Sequence, residues 1–320
     1  MERRVLSCFL ILHYMDQELT EQTVTSILKL DGFGDSQIII VDNGSTNDSG
    51  TKLKEVYDGK ENIHLLYAGR NLGFSAGNNL GFTYIKKTFD PDFLIMINND
   101  IEFPQKSFLC LLEKLYREQP FHVAGPDIYV PHKRFHSSPM HERIRTMEDL
   151  EEAAAVLDRM YASYQQKFSA CSIKMFLVER LRGSLPEQWL LGWKRTLSGH
   201  KKCMIKKRDV VLQGSCVIFD RRFCRDQQEL LQPLTFLYGE EDLLAWRCRQ
   251  QGLELWYLPE LQVWHHSQGS SRIGKAGYGE FCSRMRGSLE RRRNAVEVLK
   301  EYYGKRAAVP VCEQEHEEER

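Results

Sequence analysis

Acidic, amide and imidazole side chains gather in short clusters along this chain, and most of the clusters follow an apolar run. Asp42, Asn43, Gly44 and Ser45 come directly after residues 37–41 (QIIIV). A carboxylate and an amide in that place can hydrogen-bond the edge of a base or a ribose, while Gly44 lets the backbone turn at positive φ. Asn98, Asn99 and Asp100 come after residues 93–97 (FLIMI). Asp100 offers an oxygen ligand to a hard divalent cation, and such a cation can bridge the two phosphates of a nucleoside diphosphate. Between these clusters, residues 69–81 (GRNLGFSAGNNLG) form a small-residue loop running into a helix start, where backbone N–H groups and Arg70 can meet a diphosphate. Residues 236–242 (FLYGEED) set three carboxylates, Glu240, Glu241 and Asp242, just before a helical pattern. One of them, pointing into a cleft, can take the proton of an attacking hydroxyl as a general base. Finally, residues 263–267 (VWHHS) bring His265 and His266, whose neutral imidazoles can complete a Mn²⁺ or Mg²⁺ shell or touch phosphate.

Taken singly, each cluster also fits an ordinary structural role. Asp and Asn cap helices, glycines suit left-handed turns, and acids favour a helix N-terminus because of its dipole. Their shared position is what distinguishes them. Residues 5–12 (VLSCFLIL) are a continuous apolar run that predicts a strand, and residues 20–30 repeat Val24, Ile27, Leu28 and Leu30 at helical spacing. Residues 37–41, 63–67 and 93–97 predict three further strands, with a helix reaching about Lys87 between the last two and another over 109–119. Strands and helices alternating at this pace predict a doubly wound, mostly parallel α/β sheet, whose ligands lie beyond the carboxyl ends of the strands. Gly125-Pro126-Asp127 is expected to close the first half. Residues 210–219 return to strand character around Gly214 and Ser215, 243–251 are helical, 255–265 strand-like and 280–303 a long basic helix. The expected divisions are a nucleotide-binding half at 1–130, a helical basic insertion at 131–208, a second half at 209–303, and an acidic tail at 304–320 that lacks core-forming residues and is expected to be disordered.

With 320 residues and 42% hydrophobic content the chain can bury a full core. Its 44 basic and 44 acidic side chains balance, so nothing in the overall charge points to nucleic acid. The nine cysteines include no Cys-x-x-Cys pair, which disfavours a zinc or redox motif and suits reduced thiols in a cytoplasm. No apolar stretch approaches the roughly 20 residues that span a bilayer. The expectation is therefore a cytoplasmic protein, soluble or peripheral to the inner face of the membrane.

In their order and spacing, Val-Asp-Asn-Gly-Ser, Asn-Leu-Gly-Phe-Ser-Ala-Gly-Asn-Asn, Ile-Asn-Asn-Asp, Tyr-Gly-Glu-Glu-Asp with Trp246-Arg247, the stretch 259–265, and Arg293-Asn294 resemble the inverting glycosyltransferase family 2 with the GT-A fold. The likeness is greatest to bacterial members that build rhamnose-containing and other capsular, O-antigen or cell-wall polysaccharides. It covers about residues 5–130 and 210–303. It implies a UDP- or dTDP-linked sugar donor, a divalent metal (Mn²⁺ or Mg²⁺), and a glycan or polyprenyl-linked acceptor. By the same resemblance Asp42 would contact the base or ribose, Asp100 and His265 the metal or diphosphate, and the base would be the acid of a Glu-Asp pair. That pair falls on Glu240-Glu241 or on Glu241-Asp242; Glu241 is favoured, with Asp242 next. His13, Asn43, Arg70, Asn71, Gly73, Asn78, Asn98 and Asn99 complete the donor-side candidates, and Gly214, Ser215, Trp246 and Arg247 the acceptor-side ones. Two departures stand out: Asn98 occupies the place of the metal motif's first acid, and the base position carries Glu.

Within residues 171–208 ten basic side chains stand against two acidic ones, with Trp189 and Trp193 among them. Such a segment suits an anionic membrane surface, where a polyprenyl-linked acceptor would be met; a solvated helical cap explains it equally. The competing readings are a non-catalytic nucleotide-sugar-binding scaffold of a polysaccharide assembly complex and, further behind, a sugar-nucleotide pyrophosphorylase.

Overall fold

The computed structural model describes residues 5–165, 169–180, 203–266 and 277–307. In chain order the elements are β1 (Ser7–His13), α1 (Gln17–Leu28), β2 (Gln37–Asp42), α2 (Ser49–Tyr57), β3 (Ile63–Tyr67), α3 (Phe74–Thr88), β4 (Phe93–Asn98), β5 (Ile101–Glu102), α4 (Phe108–Glu118), β6 (Val123–Val130), β7 (Phe135–His136), α5 (Met147–Gln165), α6 (Ala170–Arg180), β8 (Lys207–Arg208), β9 (Cys216–Asp220), α7 (Arg221–Asp226), α8 (Glu240–Gln250), β10 (Leu255–His265) and α9 (Tyr278–Ala307).

The apolar runs make one mixed sheet in the order β3-β2-β1-β4-β9-β6-β10-β5, with β7 on β6 and β8 on β10. β3, β2, β1 and β4 are parallel, and their register sets His13 opposite Asp42 and Leu12 opposite Asn98. β9 then runs antiparallel to both β4 and β6, and β6 is parallel to β10. Because side chains alternate across a strand, β1 and β2 feed two cores. Phe9, Ile11, Ile38 and Ile40 meet Val24 and Ile27 of α1, Leu53 of α2 and Leu112 of α4 on one face. Cys8, Leu10, Ile39 and Val41 meet Phe82 and Ile85 of α3 and Leu244 and Cys248 of α8 on the other. The layering is that of the GT-A fold. Helices α5, α6 and α9 carry smaller cores of their own: Leu150, Val296, Leu299 and Tyr303 close on Leu243 of α8, while Tyr164, Phe281, Cys282 and Leu289 pack together. Among the described residues no helix is long and apolar enough to cross a membrane.

The elements differ from their sequence expectations at identifiable points. α1 begins at Gln17 because Asp16 caps it, accepting the Leu19 N–H at 3.3 Å. Gly125-Pro126-Asp127 lies inside β6 and closes nothing. Gly125 makes room for Leu212, since a Cβ there would come 2.7 Å from Leu212 Cδ2, and the ladder to β10 shifts register just past the Pro126–Leu258 pair. Only Cys216–Asp220 of the stretch 210–219 is strand, because the Gln213 side chain captures the Ser215 N–H at 2.6 Å and holds the chain in a turn. α9 continues to Ala307, so residues 304–307 of the expected tail are helical; 308–320 lie outside the described residues.

Two long-range anchors fix the loop before the acid cluster. Asn79 accepts the Leu230 and Leu231 N–H groups at 2.9 and 3.0 Å and donates to the Leu231 carbonyl at 2.7 Å. Arg247, buried beneath the loop, donates to the Glu229 and Leu230 carbonyls at 3.0 and 2.6 Å and lies 5.1 Å from the Phe223 ring centroid. Arg247→Met is expected to cost about 2–3 kcal/mol of stability, because two charge-assisted hydrogen bonds vanish and leave the buried Leu230 carbonyl unmet; a lowered thermal unfolding midpoint checks this. Gly81 is where α3 lies closest on the sheet, and a Cβ there would overlap the Leu10 Cδ1 methyl and press on Val41 Cγ2 at 2.9 Å. For Gly81→Ala we expect a loss of about 1–3 kcal/mol from overpacking. Gly59, where a Cβ would meet nothing within 4 Å, is the comparison position: its φ of +73° alone should make Gly59→Ala a smaller loss.

Candidate active site

The carboxyl ends of β1, β2 and β4 make one rim. Asp42, at the end of β2, is 7% exposed. Its Oδ1 accepts the Ser45 N–H at 3.0 Å, and Gly50 in the first turn of α2 leaves space for Oδ2, which a Cβ at that position would overlap. Gly44 takes φ +74° and presses its backbone on that of Arg70 and Asn71, so the turn after β2 and the glycine-rich loop touch without intervening side chains. Arg70 and Asn71 are exposed, and Asn71 Oδ1 accepts the Gly73 N–H at 2.9 Å. Gly73, at φ +82°, opens α3 and lies on the Phe236 carbonyl, which also accepts the Phe74 N–H at 3.0 Å.

Asp100 follows β4 and is 8% exposed. Its Oδ1 lies 3.2 Å from His265 Nε2, and its carbonyl accepts the His266 N–H at 3.0 Å. The two are held together by the ladder of β5 on β10, which sets Ile101 opposite His265. His266 itself pairs with Glu102 at 2.7 Å. A carboxylate and an imidazole this close can share one ion, and among the described residues no group of three His, Cys, Asp or Glu side chains forms a fuller site. That donor set fits a divalent cation whose other ligands are phosphate oxygens and water, the usual arrangement for Mg²⁺ with a nucleotide.

Across the rim stands the acid cluster. Tyr238 at φ +77° and Gly239 at φ +87° reverse the chain just before α8. Positive φ in a tyrosine costs on the order of 1–3 kcal/mol. Tyr238 is held in it by Ser288, 3.2 Å from its hydroxyl, and by the Arg292 guanidinium, 4.3 Å from its ring centroid. The three carboxylates then diverge. Asp242 is buried and gripped by Arg145 through Nε–Oδ1 and Nη2–Oδ2 contacts of 2.7 and 2.6 Å. Glu240 is buried in a small, mostly apolar cavity with Phe74, Met96, Val217 and Leu244, and its carboxylate has no side-chain partner; burial pushes its pKa up. Glu241, only partly exposed, faces Gly214, whose N–H bonds its carboxylate and where an added Cβ would come 2.7 Å from Oε1. Burial first, and the neighbouring Glu240 next, push the Glu241 carboxyl up to about 8. Of the three acids, Glu241 is the one that is not fully buried. Ser215, beside Gly214, accepts the Asn98 N–H on its carbonyl at 3.0 Å, which ties this side to the end of β4.

Several side chains that the sequence offers as ligand contacts are committed elsewhere. His13 is fully buried, its ring nitrogens 2.7 Å from Thr20 Oγ1 and 2.9 Å from Ser49 Oγ, and burial lowers its pKa below that of a free histidine. Asn43 donates to the Gly73 carbonyl at 3.0 Å and accepts the Leu72 N–H at 3.0 Å. Asn78 is buried and donates to the Phe74 carbonyl at 2.9 Å. Asn99 donates to Thr20 Oγ1 at 3.1 Å and to the Asp16 carbonyl at 3.3 Å. On the acceptor side Arg247 anchors the 229–231 loop, and Trp246 stacks on Tyr303 of α9 with centroids 4.2 Å apart. Each of the six has an intramolecular partner in the structure, and for Asn43, Asn99 and Arg247 that partner includes loop backbone, whose buried amides and carbonyls need hydrogen bonds. Asp242 joins them through Arg145. Conversely, Asn79, Gln213 and Arg145 shape the site and carry no local sequence signal beyond residue type. Of the basic segment, Lys206, Lys207 and Arg208 pair with Glu260, Glu142 and Glu254 at 3.3, 2.9 and 3.0 Å, and residues 181–202, with Trp189 and Trp193, lie outside the described residues.

Among solved structures, residues 1–349 of S. aureus TarS share this fold with a TM-score of 0.50 at 12% identity, over 95% of this chain and 75% of that one. The same TarS segment in complex with UDP-GlcNAc aligns over 39% of this chain and 34% of that one, at 20% identity and a TM-score of 0.32. The Pyrobaculum calidifontis mannosyltransferase PcManGT, in complex with GDP-Man and Mn²⁺, aligns over 97% of this chain and 77% of that one, at 11% identity and a TM-score of 0.47. No curated protein sequence matches the chain. The sequence profile described as glycosyl transferase family 2 matches residues 8–182, more than half of the chain, and the protein belongs to that family.

Proposed function

We propose that the protein is an inverting, metal-dependent glycosyltransferase that moves a sugar from a nucleoside-diphosphate donor to a hydroxyl of a glycan or lipid-linked glycan. The observation that carries the reading is the 3.2 Å approach of Asp100 and His265, on the rim that Glu241 faces across Gly214, Ser215 and Asn98. Asp42 binds the base or ribose of the donor, and Arg70 with the glycine-rich loop meets its diphosphate. Asp100 and His265 would hold a divalent ion, which when bound would supply charge neutralisation for the departing nucleoside diphosphate. Glu241 takes the proton of the acceptor hydroxyl as that oxygen attacks the anomeric carbon from the face opposite the leaving group, so the configuration inverts in a single displacement. Acceptors of bacterial surface polysaccharide synthesis suit this reading. A polyprenyl-linked acceptor would bring the protein to the inner face of the membrane, with residues 131–208 as the contacting part.

The test is a panel of UDP-, dTDP- and GDP-sugars with Mn²⁺ or Mg²⁺, read as released nucleoside diphosphate. One donor should be turned over, and EDTA or Asp100→Asn should stop release. Glu241→Gln should lower kcat by about 10²- to 10⁴-fold while nucleotide binding measured by calorimetry persists. Wild-type protein that binds a nucleotide yet releases none from any donor overturns the reading.

The pH profile gives a separate check. Glu241 must be ionised to act, and its carboxyl is pushed up to about 8, so the protonated, inactive form dominates below that value. kcat/KM, which reports the free enzyme, is therefore expected to rise with pH through the range around 8 and to flatten above it. A profile already flat from about pH 6 would count against Glu241 as the base.

A further inference from the structure

Residues 140–146 touch both walls of the carboxylate that the proposed reaction uses as its base. On one side the Met140 N–H reaches the Val211 carbonyl at 2.8 Å and His141 forms an antiparallel bridge with Val211, three residues before Gly214. On the other side Arg145 holds Asp242 by two parallel hydrogen bonds of 2.7 and 2.6 Å, with side-chain exposures of 17% and 3%. Gly214 meets Glu241 in space and Asp242 follows it in sequence, so the segment braces both neighbours at once. A planar guanidinium in a fork fixes orientation as well as charge, and a pair this enclosed is little screened by water.

We propose that Arg145 is the positioning residue for the base: its fork on Asp242 seats the first turn of α8 against Gly214 and neutralises the acid next to Glu241, which leaves Glu241 free to receive the acceptor's proton. This rests on the reading of Glu241 as the base. The groups acting on Glu241 directly are Glu240 and Asp242 on its own helix and the Gly214 N–H; Arg145 and His141 from the segment before α5 reach Asp242, as does Tyr303 of α9, whose hydroxyl donates to the Asp242 carbonyl at 3.5 Å. Burial holds the His141 imidazole below its ordinary pKa, so it is neutral near pH 7. Arg145 is thus the permanent cation among these groups. Without it the Asp242 charge stands uncompensated beside Glu241 and opposes its ionisation. Without the Asp242 charge the guanidinium acts alone and favours it. A purely structural brace would weaken the fold in both cases and would leave the Glu241 titration in the Arg145 variant unmoved.

The experiment uses the full chain with Arg145→Met, Asp242→Asn and the double substitution. The first readout needs no donor: the carbon-13 carboxyl resonance of Glu241, assigned by its loss in Glu241→Gln, is titrated in each variant. The expected result is a midpoint raised by about one pH unit in Arg145→Met, lowered by a similar amount in Asp242→Asn, and near wild type in the double variant. The second readout is nucleoside-diphosphate release by the best donor of the panel at pH 7. It should fall about tenfold or more in Arg145→Met and recover in the double variant. If Arg145→Met does not fold, Arg145→Gln takes its place in both readouts, with the same expected shift. Unmoved midpoints, or shifts of the same sign, overturn the proposal even when the protein is an active transferase. Release that survives Glu241→Gln overturns the base assignment and this proposal with it.

Discussion

The hydrogen bond from the Asn98 amide to the Ser215 carbonyl, 3.0 Å long, joins the two halves of the site, and the direction of one strand makes it possible. Parallel strands bring only their carboxyl ends to the rim. β9 runs the other way between β4 and β6, with Cys216 opposite Ile97, so the residues leading into β9 arrive where β4 leaves off. That places Gln213, Gly214 and Ser215 beside residues 98–100, and Gly214 then forms the floor on which Glu241 rests. Were β9 parallel to β4, its lead-in would emerge at the opposite rim. Asp220 ends β9 there, bonded to the Tyr116 hydroxyl at 2.8 Å and capping α7 through the Phe223 N–H at 2.8 Å, a purely structural assembly.

The frame of the donor side was legible in the sequence because each of its strands is a continuous apolar run that ends at small polar residues. The periodicity located β1, β2, β3, β4 and β10 within a residue or two, and the cluster after each strand end lies on the common rim. The direction of β9 was not legible, since its four apolar residues, Cys216 to Phe219, read the same either way and only non-local pairing fixes their sense. The site was legible by residue type and less so by role. Asp100 and His265 lie 3.2 Å apart, while Asn43 and Asn99 donate to the Gly73 and Asp16 carbonyls and Asn78 to the Phe74 carbonyl within α3, bonds that no local pattern distinguishes from binding a ligand. The acid cluster shows the same limit: three adjacent carboxylates look alike in the chain, and the partner that separates them, Arg145, lies almost a hundred residues away.

Glycine-rich loops of this kind are easily read as phosphate cradles alone. Here Gly44 and Gly73 bring two loops and the Phe236 carbonyl into direct backbone contact, and Asn43 stitches them with side-chain bonds. The loop is therefore stiff before any ligand arrives. A surface whose amides are already oriented loses less conformational entropy on binding than one that must first be ordered. The buried polar braces serve the same end, since each removes a way for the rim to rearrange.

Tyr238 adds a mechanical property to this rigid rim. Its left-handed backbone is a cocked position, kept by Ser288 and Arg292 on a helix some fifty residues further along the chain. Loosening that grip would let the turn unwind toward ordinary angles and roll the head of α8, lifting its carboxylates off their floor. Through Ser288 and Arg292, α9 is thus geared to the turn that sets the head of α8, as a sear is geared to a trigger.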